Sequence, residues 1–282
     1  MPRILVTNDD GVHSDGIHAL ADALRPLGQV IVVAPHIEAS AIGHALTLRR
    51  PLRMERLAKA GLRVRPLRFH KPFAIIAEIK RHSPSRGKLS ATLDPARQAR
   101  AYAAGGASVL SVLTEPSFFK GSLADLRAAR SACELPVLRK DFLVDPYQVD
   151  EARAHGADGV LLLCSILDDA TLRLLLRRTH RLGMFALVEA STRPEVGRAV
   201  RAGARVVGVN VRDLHTFVLR PGNHARWRRL IPPGRLAVAE SGIRTPADTK
   251  RLRRLGYDAA LVGESLVRSP DPASTVRSLL AR

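Results

Sequence analysis

A chain of 282 residues has room for one large α/β domain, or for a barrel-sized domain with a small appendage. Hydrophobic residues make up 46% and aromatic ones 4%, which excludes disorder and rests the core on Leu, Val, Ala and Ile. The formal net charge of +19 favours anions, but the basic residues run through every helix-like segment with few aromatics to stack on bases, so arginine-coated helix faces outweigh a nucleic-acid site.

In chain order, the first strand, "RILVT", runs into Asp9 and Asp10 followed by glycine, the way a divalent metal site is often presented. An amphipathic helix over "HSDGIHALADALRPLG" and a second strand, "QVIVVAP", follow, and "HALTLRRPLRMERL" reads as a less regular extended stretch. Residues 1–57 therefore form a partial Rossmann-like βαβ segment that lacks the further strands needed to cover its sheet. The basic stretch "AKAGLRVRPLRFHKP" at 58–72, broken by Gly and Pro, reads as a linker or an irregular crossing.

From Phe73 to the C-terminus one unit recurs: apolar strand, polar loop, amphipathic helix, Gly-containing turn. The eight strands are "FAIIAEIK", "SVLSVLT", "PVLRKDF", "GVLLLCSI", "FALVEA", "VVGVNVR", "LAVAES" and "AALVGES", apolar on both faces as in a buried parallel sheet. Helices such as "DPARQARAYAAGG" and "TPADTKRLRRLGY" open with an N-cap and a proline and close at glycine. Eight such units over 73–282 predict a (β/α)8 TIM barrel, in which reactive side chains lie at the C-terminal ends of the strands. Those ends carry Glu78, Lys80, Thr114, Lys140, Ser165, Glu189, Asn210, Arg212, Glu240, Ser241, Gly263 and Glu264, and the opposite ends are expected to carry none of this chemistry. Only seven of the 45 basic residues are lysine, and Lys80 and Lys140 are two of them. Arginine stays protonated, whereas a lysine can serve as a proton donor. The competing expectation is that Lys80 and Lys140 merely pair with Glu78 and Asp141 to seal the barrel mouth.

The stretch "IIAEIKRHSPSRG" at 75–87 resembles the first strand and loop of the indole-3-glycerol phosphate synthases. The resemblance continues in order through "LTEPSFFKGS", "LRKDF", "LVEA", "GVNVRDL", "AESGI" and "LVGESLVR". It implies a carboxy-lyase of tryptophan biosynthesis that closes the indole ring of 1-(2-carboxyphenylamino)-1-deoxyribulose 5-phosphate, with loss of carbon dioxide and water and without a cofactor. By resemblance Lys140 is the acid of ring closure and Lys80 and Glu189 the acid/base pair of dehydration, although the residues themselves leave open which lysine serves which step. Glu78, Asn210, Glu240 and Arg212 complete the polar network, Arg212 being suited to the substrate carboxylate. Pro84, Phe119, Phe142, Leu161 and Leu214 match the apolar slot for the anthranilate ring. Ser241, Gly242, Gly263 and Glu264, closed over by Ser83, Ser85 and Lys80, match the phosphate site. The helical extension that usually precedes the family's first strand has no counterpart here, and Arg86 stands where a lysine is usual.

The first 57 residues resemble instead the N-terminus of the survival-protein-E family of metal-dependent 5′-nucleotidases, on "ILVTNDDGVHSDGIHALADAL" and "VVAPHIEASAIGHALTLRRPLR". That resemblance implies Asp9, Asp10 and Ser40 as ligands of a divalent cation, vestigial because the rest of that family's fold is absent and His36 stands where an aspartate is common. A fusion, a gene-calling error and a design all remain open as origins. A metal-dependent nucleotidase and a basic nucleic-acid-binding module are the competing functions. Cys133 and Cys164 form no disulfide framework or zinc motif, and no apolar run reaches a membrane span, so a cytoplasmic setting is expected. The expected partner is a small sugar phosphate, with other tryptophan-pathway enzymes as candidates, and with neither nucleic acid nor membrane.

Overall fold

In the computed structural model, which describes residues 3–6, 15–24, 29–32, 63–69, 73–84, 87–90, 92–213 and 216–281, the chain separates into two units, Met1–Arg56 and Leu57–Arg282. The first unit pairs β1 (Arg3–Val6) with β2 (Gln29–Val32) in parallel, from Arg3 opposite Gln29 to Val6 opposite Val32. Helix α1 (Asp15–Leu24) joins them and buries Ala21. The expected extended stretch after β2, with Asp9, Asp10 and Ser40, lies outside the described residues.

The second unit is a closed parallel barrel whose strands follow chain order: β3 (Ala74–Ile79), β6 (Val109–Leu113), β7 (Val137–Lys140), β8 (Gly159–Leu163), β9 (Phe185–Ala190), β10 (Val206–Asn210), β11 (Leu236–Glu240) and β12 (Ala259–Val262), which pairs back onto β3. All eight strands coincide with those expected. A small hairpin, β4 (His82–Ser83) with β5 (Gly87–Lys88), interrupts the first loop. The helices are α2 (Pro95–Ala104), α3 (Leu123–Ala132), α4 (Pro146–Ala154), α5 (Asp169–Arg181), α6 (Arg193–Arg201), α7 (Asn223–Arg228), α8 (Pro246–Arg254), α9 (Glu264–Val267) and α10 (Pro272–Leu280). Their starts are chemically marked. Asp94, Ser122, Asp145, Asp168, Thr192, Thr245 and Asp271 each accept a backbone N–H of the first turn, and Asp145 and Thr245 form capping boxes with Gln148 and Asp248.

Two apolar layers result from the two-residue repeat of the strands. Outward residues such as Ile75, Leu110, Leu162, Val188 and Val207 pack under the helices, and inward residues such as Ile76, Leu138, Leu161, Leu187 and Val238 fill the barrel. Arginines staple the outer layer by donating to backbone carbonyls left open at helix ends and loops. Arg253 reaches the carbonyls of Leu279, Leu280 and Ala281 at 3.2, 2.7 and 2.7 Å, and Arg198 those of Cys164 and Leu167 at 2.8 and 2.6 Å. Part of the large positive charge therefore serves the fold.

The floor of the barrel corrects two expectations. Residues 63–69 are the irregular crossing rather than a free linker: Leu67 and Phe69 pack against the inner core, and the Arg65 guanidinium donates to the carbonyls of Cys133 and Leu135 at 2.7 and 2.8 Å. Nor are the N-terminal strand ends free of ionisable groups. Asp158, fully buried before β8, accepts from Arg65 N at 2.6 Å and Val137 N at 2.9 Å and pairs with the Arg130 guanidinium. Burial pushes the Asp158 carboxyl up and the Arg130 guanidinium down, so desolvation opposes the pair while its hydrogen bonds hold it. Strand residues alone do not reveal this cluster, because Asp158 and Arg130 sit in a turn and a helix.

Removing one partner of such a pair strands the other in the interior, at about 3–5 kcal/mol. Asp158→Ala should lower the melting temperature strongly while leaving kcat of the folded protein near the parent value, because the floor faces away from the mouth. A large loss of kcat at unchanged stability would contradict this assignment.

Candidate active site

On four strands the inward residue one pleat above an apolar one is ionisable. Ile76 is followed by Glu78, Leu138 by Lys140, Leu187 by Glu189 and Val238 by Glu240, so the apolar filling ends in a polar layer at the mouth. Strand register brings these groups level. Glu189 stands beside Leu163 and Gly208, and Glu240 beside Asn210 and Leu261.

Lys140 lies at the centre of three carboxylates. Its Nζ is 2.9 Å from Glu240 Oε2, 3.3 Å from Glu189 Oε2 and 3.9 Å from Glu78 Oε2, while Lys80 Nζ is 2.5 Å from Glu78 Oε1. Asn210 Nδ2 donates to Glu189 Oε1 at 2.7 Å, which orients that carboxylate, and Asn210 Oδ1 accepts from Arg212 N at 3.0 Å. Lys140 does not pair with Asp141. Asp141 is taken up by Arg139 at 3.0 Å, by the Thr114 hydroxyl at 2.6 Å and by Phe142 N at 2.9 Å.

The electrostatics follow from burial plus this crowding. Burial alone would lower the Lys140 pKa, but Glu240, Glu189 and Glu78 together carry it above the ordinary lysine value. Burial would raise Glu78, but Lys80 and then Lys140 hold it below the usual carboxylate range. Glu240 goes the other way: burial, and after it the charge of Glu189, push it up to about 8 against the pull of Lys140. Its second oxygen, Oε1, accepts from no donor among the described residues. Two glycines make the packing possible. A Cβ on Gly208 would collide with the Glu240 carboxylate, and one on Gly263 with that of Glu78.

A pocket of about 190 Å³ opens over this layer. Its wall includes the expected polar residues Glu78, Lys80, Lys140, Glu189, Asn210, Arg212 and Glu240, and the expected apolar Pro84, Phe119 and Leu161. Ser83, Ser241, Gly242, Gly263 and Glu264 line it as well. The backbone is left-handed at Ser241 (φ 67°) and Gly242 (φ 74°), turning the chain sharply after β11. Phe142 does not line the pocket; it packs on the inner barrel cluster, its ring centroid 6.4 Å from that of Phe119. Ser85 and Leu214 lie outside the described residues. Among the described residues no group of three or more His, Cys, Asp or Glu is arranged to hold a metal ion.

The sequence reading missed several wall residues. Leu113, Leu163 and Leu261 share the inward phase of their strands and were accessible to the same alternation that identifies Glu78. Phe217, Ile243 and Arg244 sit in loops with no periodic signal. Glu115 was also missed: its carboxylate accepts the backbone N–H groups of Ser117, Phe118 and Phe119 at 2.6, 2.6 and 3.0 Å, fixing the loop that presents Phe119.

Comparison with known proteins is consistent from several directions. The family model described as indole-3-glycerol phosphate synthase matches residues 54–279. A protein of that name from Beutenbergia cavernae is 50% identical over 252 residues, 89% of this chain and 93% of its own, a match longer than the stretch from Leu57 to the C-terminus. One from Mycolicibacterium vanbaalenii is 54% identical over 207 residues, 73% of this chain and 76% of its own. Among solved structures, a 3-hexulose-6-phosphate synthase superposes with a TM-score of 0.59 at 16% identity, covering 73% of this chain and 97% of that one. The thiamine phosphate pyrophosphorylase of Pyrococcus furiosus does so at 0.56 and 16%, covering 73% and 93%. At that identity the two structures bear on the fold alone.

The raised Glu240 pKa has a stability signature. Its folded value, about 8, lies above the ordinary 4.5, so its contribution is complete below pH 4.5 and is lost as pH rises towards 8. Glu240→Gln cannot ionise, so its melting temperature should gain on the parent's from pH 4.5 to 8 and then level off. A constant difference across that window would show that Glu240 titrates normally.

Proposed function

The chain belongs to the indole-3-glycerol phosphate synthase family, and we propose that the lysine–carboxylate layer at its barrel mouth carries that ring closure. The enzyme is a carboxy-lyase acting on a small phosphorylated substrate. The observation that supports the assignment of residues is the meeting of Lys80, Lys140, Glu78, Glu189 and Glu240 in one pocket.

Ring closure joins the carboxylate-bearing ring carbon of 1-(2-carboxyphenylamino)-1-deoxyribulose 5-phosphate to its carbonyl carbon, and the carbonyl oxygen becomes an alkoxide. An alkoxide is a far stronger base than an amine, so Lys140 protonates it even with its own pKa raised, and the fixed charge stabilises the oxyanion as it forms. Carbon dioxide then leaves and the benzene ring regains aromaticity. Dehydration requires the new hydroxyl to depart as water and a proton to leave the neighbouring carbon. Lys80, oriented by Glu78, donates the first proton, and Glu189, oriented by Asn210, accepts the second. Two protons are given and one is taken back, so each turnover draws one proton from solvent, matching the carboxylate lost as carbon dioxide.

Arg212 at the rim suits the substrate carboxylate before it departs. The left-handed turn at Ser241 and Gly242, with Gly263, Glu264 and Ser83, offers backbone N–H groups and a hydroxyl to the phosphate. Pro84, Phe119 and Leu161 flank the aromatic ring. Incubating the purified protein with the substrate should produce indole fluorescence. Lys140→Ala should cut the kcat of the folded protein by roughly 10²–10⁴-fold, and its melting temperature should also fall because three buried carboxylates lose their shared partner. A fully active Lys140→Ala protein would remove Lys140 from the acid role.

A second reading concerns residues 1–57, which we propose to be a fragment of a survival-protein-E-type nucleotidase joined ahead of the barrel. The parallel β1–α1–β2 unit and the start of the family match at residue 54 support it, while the longer Beutenbergia match, which runs into this segment, weighs against a sharp junction. On this reading Asp9, Asp10 and Ser40 would be the oxygen donors for a divalent cation. Deleting residues 1–57 should leave kcat for ring closure within about twofold of the parent. Loss of activity in a folded truncation would assign the segment to the barrel enzyme instead.

A further inference from the structure

His224, the second residue of α7, has no place in the pocket wall and is nevertheless buried, with 1% of its surface exposed. Its Nε2 lies 3.2 Å from the main-chain carbonyl oxygen of Glu240. A carbonyl only accepts, so Nε2 carries the hydrogen and Nδ1 is bare; Nδ1 is buried and has no hydrogen-bond partner among the described residues. Burial pushes the imidazole down to about 4, which keeps this neutral form. The ring is held from the other side by Tyr257, edge-on at 5.6 Å and 79°, whose hydroxyl donates to the His224 carbonyl at 2.9 Å.

The carbonyl that His224 holds occupies a critical point. The β10–β11 ladder ends at the pair Asn210 and Glu240, and the next donor along it, Val211 N, reaches Glu240 O only at 3.4 Å. Immediately afterwards Ser241 takes a left-handed conformation at φ 67°, which a residue with a Cβ adopts at a cost of about 1–2 kcal/mol. Without the His224 donor, only the long Val211 bond holds the Glu240 carbonyl, and that peptide plane can rotate more easily. The rotation would move the Glu240 carboxylate away from Lys140 and relax the Ser241–Gly242 turn together. A side chain retained only for packing would not leave a bare nitrogen in the interior; an apolar ring would fill the same space without that penalty.

We propose that His224 is a positioning residue for Glu240, acting from outside the barrel by donating to the Glu240 main-chain carbonyl. The proposal rests on Glu240 belonging to the catalytic layer. His224→Phe keeps the ring volume and removes the donor, and His224→Gln restores a donor at nearly the same place. Steady-state kcat and KM for ring closure are measured for both, alone and combined with Glu240→Ala. His224→Phe should lower kcat roughly 10-fold or more, since small displacements of a catalytic group are expensive. His224→Gln should recover part of the loss. In the Glu240→Ala background, which has no carboxyl left to position, His224→Phe should change kcat by less than about threefold, because the two residues act through one another. Equal losses in both backgrounds, or an unchanged kcat in a His224→Phe protein whose melting temperature alone falls, would overturn the proposal. If His224→Phe does not fold, His224→Met takes its place in the same cycle. A folded Glu240→Ala protein with parental kcat would instead overturn the reading of Glu240 itself, and this proposal with it.

Discussion

The mouth of the barrel depends on one electrostatic constraint: an ammonium group, Lys140, is largely shielded from water in the company of three carboxylates. None of these groups is tolerable there alone. Lys140 keeps its charge because Glu240, Glu189 and Glu78 surround it, and Glu78 keeps its charge because Lys80 and Lys140 face it. One charge too many remains among the carboxylates, and it falls on Glu240, whose pKa burial and the neighbouring Glu189 push up. Strand register is therefore fixed twice, by apolar filling below and by charge compensation above. A slip of one residue on any of the four strands would turn its ionisable group outward into the helix layer.

The two ends of the barrel use charge for opposite purposes. At the floor, Asp158, Arg130 and Arg65 are satisfied by one another and by backbone groups, which ties the segment before β3 to the ends of β7 and β8. At the mouth, Glu240 has an oxygen with no donor among the described residues, and lysines stand where arginines prevail elsewhere. A fully satisfied network is rigid; a network with open valences can take a substrate. Outside the barrel, arginines such as Arg198 and Arg253 donate mainly to carbonyls. This use accounts for part of the +19 without invoking a polyanion.

What was legible in the sequence was what repeats. The eight strands and the alternating phase within them are properties of short segments, and strands such as "FALVEA" begin and end where the apolar run does. Glu78, Lys140, Glu189 and Glu240 were legible because they interrupt that run at its C-terminal end. Contacts between distant segments were not. Nothing local distinguishes Phe142 from Phe119, yet only the second of these two neighbouring rings lines the pocket. Gly208 looks like a strand glycine until the Glu240 carboxylate is seen to occupy the space of its Cβ. His224 lies in a six-residue helix, too short to carry a periodic signal, and its partner is a main-chain atom, which no side-chain motif encodes.

The central claim is that the lysine–carboxylate layer and the Ser241–Gly242 turn serve a single bound molecule. A crystal structure with the reaction product, indole-3-glycerol phosphate, tests it most directly. The account predicts the phosphate against the backbone of Ser241, Gly242 and Gly263, and the indole-bearing carbon chain within hydrogen-bond reach of Lys80, Lys140 and Glu189. A product bound elsewhere, or bound here with its phosphate directed at the lysines and its ring out of the pocket, would contradict it.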